Sequence, residues 1–105
     1  MSPKTVASEL ARSTTEAELL AFVRDLALLR GWIVHHAADS RRADPGLPDL
    51  ILVRAPRVIF AELKTERGRL RAEQRTWLDA LGDCPGVEAH LWRPSHADEI
   101  LEALR

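Results

Sequence analysis

The sequence predicts an α/β domain: a mixed central sheet flanked by helices, in the order α-β-β-β-α-β-α. Three observations carry this. Leu19, Phe22, Val23, Leu26 and Leu29 recur at helical spacing. Two strand-like runs, LPDLILVR and RVIFAELK, stand back to back around Ala55-Pro56. Helical spacing then returns in AEQRTWLDALG and gives way to a short strand-like run, VEAHLW. At 105 residues the chain suits one hydrophobic core and not two.

The elements follow in chain order. Residues 1–13 show no clear pattern and are expected to form a loose arm or frayed turn, with the domain proper over residues 14–105. Thr15 is suited to cap the first helix, Glu16 and Glu18 favour its positive end, and Gly31 stops it. WIVHH, residues 32–36, reads as a strand and AADSRRADPG, residues 37–46, as a loop. The two runs around Ala55-Pro56 form a hairpin whose tip tolerates proline. TERGRLR is a polar connection, and residues 72–82 form a helix carrying Trp77, Leu78 and Leu81. After a turn and the VEAHLW strand comes a closing helix, HADEILEALR, which Ser95 is placed to cap. Trp32, Trp77 and Trp92 sit in apolar patterns and read as core anchors. His35 and His36 face opposite ways along a strand, so they make no two-ligand metal clip. Like His90 and His96, they read as structural or exposed.

Composition excludes several classes. With 46% hydrophobic and 30% charged residues the balance is globular. No apolar run approaches the roughly 20 residues of a bilayer span, and the first 13 residues lack the apolar core of a secretory signal. A soluble, cytoplasmic protein is expected, with no membrane partner and no nucleotide cofactor. A single cysteine, Cys84, permits neither an internal disulfide nor a thiolate zinc site, and is expected half-buried before a turn. A formal net charge of −1 means that any polyanionic partner must be met by a local patch.

The hairpin raises a chemical question. A tip centred between Ala55 and Pro56 pairs Val53 with Val58, Leu52 with Ile59, Ile51 with Phe60 and Leu50 with Ala61. Asp49 then falls opposite Glu62. Both faces of the hairpin are apolar, as expected of a sheet covered on each side. Alternation puts Lys64 on the face of Glu62 and Asp49. Opposed carboxylates about 5 Å apart repel unless one is protonated or a cation lies between them. A hard divalent ion such as magnesium suits two carboxylates and a substrate phosphate, and an adjacent ammonium can orient water or neutralise phosphate charge. The plainer alternative is a surface Glu62–Lys64 ion pair, with Asp49 as a turn residue after Pro48.

GLPDL, then AELK after the hairpin, then GRLRAEQRTWLDAL, together with TEAEL, GWIVHH and LWRPS, resembles the VRR-NUC (virus-type replication-repair nuclease) family of the PD-(D/E)XK nuclease superfamily. The likeness runs from about Thr15 to Arg93. It implies a restriction-endonuclease-like α-β-β-β-α-β core, here with a C-terminal helix, and Mg2+- or Mn2+-dependent hydrolysis of DNA phosphodiesters leaving a 5′ phosphate. It implies that Asp49, Glu62 and the Leu63 backbone carbonyl hold the metal, that Lys64 positions or activates water, that Glu16 completes the acidic site and that Gln74 supports it. Glu16 and Glu18 point about 200° apart on a helix, so one alone reaches the site; Glu16 matches the family's threonine-glutamate pair. At Arg71-Ala72 the sequence departs from the hydroxyl-proline pair frequent in relatives, which weakens the expected helix start.

Arg41, Arg42, Arg67, Arg69, Arg71 and Arg75 flank the site in sequence and form a plausible track for a nucleic-acid backbone, since phosphate contacts position without reading sequence. Structure-selective cleavage of branched, flap or junction DNA by a homodimer is the accompanying hypothesis, because two sites cut two strands. The competing reading is an inactive nucleic-acid-binding adaptor of the same fold, which has no use for two facing carboxylates. A protein-interaction domain would leave the arginines unexplained.

Overall fold

The computed structural model describes residues 3–37 and 44–105. Its elements are α1 (Pro3–Ser13), α2 (Glu16–Leu29), β1 (Ile33–His36), β2 (Leu50–Arg54), β3 (Arg57–Leu63), α3 (Ala72–Gly82), β4 (Val87–Trp92), a 3-10 turn (Pro94–His96) and α4 (Ala97–Ala103). The four strands form one sheet in the order β1-β2-β3-β4. β1 and β2, and β2 and β3, run antiparallel, whereas β3 and β4 run parallel. A parallel pair needs a crossover, and α3 provides it. The predicted α/β class with a mixed sheet, flanking helices and a C-terminal helix is thus the observed one.

The hairpin register follows from its short tip. Leu50 pairs with Ala61, Ile51 with Phe60, Leu52 with Ile59 and Val53 with Val58. Alternation sends Leu50, Leu52, Ile59, Ala61 and Leu63 to one face, where each is at most 1% exposed. α2 lays Leu19, Val23 and Ala27 on that face, and Trp32, Trp92, Ile100 and Leu104 complete the core. Each large side chain removed from water there contributes about 1.5–3 kcal/mol. The opposite face differs from expectation: Ile51, Val53, Val58 and Phe60 are only half-buried. α3 lies along its β3–β4 side and leaves the β1–β2 side less covered.

Local chemistry explains the helix ends. Thr15 caps α2, its hydroxyl accepting from the Glu18 N–H at 3.1 Å while the Glu18 carboxylate accepts from the Thr15 N–H at 3.0 Å. This reciprocal pair satisfies two end donors. The chain then turns at Gly31, whose φ is +83°. Ser95 does not cap the closing helix: Pro94 starts a 3-10 turn, and the Ser95 N–H donates instead to Glu66 Oε2. Pro3–Ser13 is a helix where the sequence suggested an arm, and Cys84 is exposed where half-burial was expected.

The C-terminal helix is tied to the sheet by donors from its neighbours. Trp32 Nε1 donates to the Leu104 carbonyl at 3.1 Å, and Arg30 donates to that of Leu101 at 2.7 Å. The Arg54 guanidinium lies 4.5 Å from the Trp32 ring centroid, a cation–π arrangement. No helix among the described residues is long and apolar enough to cross a membrane.

Candidate active site

Asp49 enters β2 from a loop pinned on two sides. Pro48 before it is buried, and the Asp49 carbonyl accepts from the Ala37 N–H at 3.1 Å. Its Oδ2 accepts from the Leu63 N–H at 2.9 Å. The carboxylate therefore extends the hairpin where backbone pairing stops and reaches the strand that carries Glu62. The Leu63 side chain is buried in the core, so only its main chain faces the site.

Glu62 is 2% exposed, on the sheet face that meets α3. Its Oε1 accepts from Gln74 Nε2 at 2.9 Å and lies 3.9 Å from Lys64 Nζ. Its Oε2 is buried and meets no donor among the described residues. Burial, and then the nearby Asp49 carboxylate, push the Glu62 carboxyl up to about 8, against the opposing pull of Lys64. A buried carboxylate oxygen without a partner is costly, and either a proton or a cation relieves it. The donor set here, two carboxylates with one vacant oxygen, fits a hard divalent ion.

Gln74 is held as firmly as the group it serves. Its Oε1 accepts from the Arg71 N–H at 2.8 Å, leaving the amide nitrogen for Glu62. This also resolves the weak helix start: Arg71 makes no side-chain cap, and Gln74 satisfies its backbone donor instead. α3 is in turn fixed to the loop before Asp49, because Trp77 Nε1 donates to the Pro45 carbonyl at 3.1 Å. Gly46, with φ +90°, lies so close to the first turn of α3 that a Cβ there would meet the Glu73 carbonyl and come within 2.8 Å of the Gln74 nitrogen. The sequence reading missed Gly46 and the hydrogen bond of Trp77, although the glycine in PGLPD was a visible cue.

Asp49, Glu62, Lys64 and Gln74 are thus brought together. Glu16 is exposed in the first turn of α2, and among the described residues no group of three His, Cys, Asp or Glu converges as a metal cage. Glu18 is engaged in the Thr15 cap, which holds its carboxyl below the usual range. Arg67, Arg69, Arg71 and Arg75 are exposed, and Arg75 lies 3.7 Å from Asp79. Arg41 and Arg42 lie outside the described residues. Of the histidines, His35 is exposed, and His90 stacks on Trp92 with centroids 5.1 Å apart.

One comparison with known proteins gives a match. The family model of the VRR-NUC domain matches residues 4–93. No curated protein and no solved structure gives a significant match.

Proposed function

Because the chain belongs to the VRR-NUC domain family, a family of nucleases, we propose that it is a Mg2+- or Mn2+-dependent deoxyribonuclease with its centre at Asp49, Glu62 and Lys64. The observation that carries the reading is the buried, partnerless Oε2 of Glu62 beside the Asp49 carboxylate. A surface ion pair would leave no such atom. Asp49 and Glu62 would hold the ion, with the Leu63 carbonyl and Glu16 as the further ligands that the family resemblance implies. When bound, the ion supplies Lewis-acid polarisation of the scissile phosphate and a lowered pKa for its water.

The chain's own residues do the rest. Gln74 Nε2 fixes Glu62 Oε1 and so aims Oε2. Lys64 Nζ, two residues further along the chain, orients the attacking water and offers positive charge to a phosphate oxygen as charge develops there. Attack at phosphorus with departure of the 3′ oxygen leaves a 5′ phosphate. Arg67, Arg69, Arg71 and Arg75 would hold the backbone, with Arg41 and Arg42 as further candidates. Structure-selective cutting by a homodimer extends this proposal.

The test is a panel of single-stranded, duplex, flap and four-way-junction DNA incubated with magnesium, manganese or chelator. Metal-dependent cutting is expected, and Asp49→Ala or Lys64→Ala should lower it by about a hundredfold or more, the range for loss of a charge-stabilising group. Tight binding without cutting in every metal would favour the adaptor. Neither binding nor cutting would end both readings.

A further inference from the structure

Lys64 is useful only if its ammonium stays at the site, yet a lysine stem has four flexible bonds and loses substantial rotamer entropy when fixed. Its contact with Glu62, at 3.9 Å, is too long to do this alone. The turn that follows supplies the restraint. Thr65–Gly68 folds back on itself, the Gly68 N–H donating to the Thr65 carbonyl at 3.1 Å. A Cβ on Gly68 would lie 3.5 Å from Lys64 Cδ and 3.0 Å from Thr65 Oγ1. A side chain at Gly68 would thus touch the stem, and the Lys64 side chain is 16% exposed.

What holds the turn is Arg93. Its Nη1 donates to the Thr65 and Gly68 carbonyls at 2.7 Å each and reaches that of Glu66 at 3.4 Å. One residue earlier, the Trp92 carbonyl accepts from the Lys64 N–H at 3.1 Å. Glu66 ties the turn a second time, its Oε2 accepting from the Ser95 N–H at 3.1 Å. That bond holds the Glu66 carboxyl below its ordinary range. Among the described residues, every carbonyl that this guanidinium nitrogen engages belongs to the four residues after Lys64.

We propose that Arg93 is a positioning residue for Lys64: by clamping the Thr65–Gly68 turn from the end of β4, it keeps the ammonium beside Glu62. The inference rests on the nuclease reading for its catalytic consequence, but the clamp can be read without turnover. Lys4 and Lys64 are the only lysines, so selectively 13C-labelled lysine gives two sets of signals. In Arg93→Ala the squared order parameter at Lys64 Cε is expected to fall by roughly a third. In the cleavage assay kcat should fall roughly tenfold or more with KM little changed, as for a misplaced catalytic group. Arg93→Lys keeps one donor, and millimolar guanidinium can refill the gap in Arg93→Ala, so each should recover part of the loss.

Unchanged Lys64 order in both variants would overturn the proposal. So would a rise in KM with kcat intact, or a loss of order spread evenly through the core, since the former makes the turn a substrate contact and the latter makes Arg93 a general stabiliser. If the wild-type protein cuts no DNA, the nuclease reading fails, and the Lys64 relaxation alone decides whether the clamp exists.

Discussion

A carboxyl oxygen with no donor makes Glu62 a residue whose charge opposes folding. Its folded pKa, about 8, stands above the ordinary 4.5. Between those values the native chain keeps a proton that the unfolded chain has released. Its stabilising effect is therefore whole below about pH 4.5 and is lost as pH rises through about 8, a change on the order of a few kcal/mol. His90, whose pKa is lowered mainly by burial, acts in the opposite sense: its contribution is present above its unfolded pKa and fades as pH falls. Subtracting a variant isolates Glu62. In chelator, the urea midpoint of the wild type should fall relative to Glu62→Gln between pH 5 and 8, because the amide cannot ionise. Magnesium at pH 8 should restore the wild type and leave the variant unchanged. Parallel midpoint curves for the two proteins would remove Oε2 as a source of strain and weaken the metal site with it.

Between elements, the contact that most constrains the site is that of the loop before β2 with the start of α3. Gly46 and Gly86 have similar left-handed φ values, +90° and +82°, but only Gly46 has backbone within reach of a Cβ. Alanine at Gly86 should cost about 1 kcal/mol of conformational strain. At Gly46 the same strain is joined by overpacking against Glu73 and Gln74, worth about 1–3 kcal/mol more. Urea denaturation of the two variants reads the difference, and only Gly46→Ala should also slow cleavage, since the displaced turn carries Gln74. Equal losses in stability would show that the loop gives way without moving α3. The hairpin was legible in the sequence because a short tip and a two-residue period leave one register, and that register brings Asp49 to Glu62. Thr15 in TEAEL was likewise legible as a cap, though the return bond from its N–H to Glu18 was not. α1 was not legible, since Val6 and Leu10 are its only large apolar side chains, too few to establish a helical period along the chain. The glycine in PGLPD was visible, but its approach to α3, like the grip of Arg93 on the turn, was hidden for another reason: main-chain partners leave no residue-type pattern along the chain.

Across the whole molecule, a formal charge of −1 gives no general attraction to DNA, so binding must come from where the arginines are spent. Arg30, Arg54, Arg57 and Arg93 are committed to internal partners. Arg67, Arg69 and Arg71 are exposed, between Lys64 and the helix that carries Gln74, and among the described residues none of them forms an ion pair. A duplex laid along that stretch would meet them beside the two carboxylates, whose repulsion of phosphate they would offset. Each phosphate neutralised releases counterions, so the slope of log affinity against log salt should become shallower by about 0.9 for every one of the three that makes contact. Arg67→Gln, Arg69→Gln and Arg71→Gln combined should therefore weaken duplex binding in chelator and flatten its salt dependence, while saturating DNA with magnesium recovers most of kcat, because these groups position the backbone without touching the reaction. Fluorescence anisotropy across a salt series measures the slope. If it stays that of the wild type, the three side chains are a solvated face, and the anchoring of DNA passes to Arg41, Arg42 and Arg75, whose own substitution would then have to lower it.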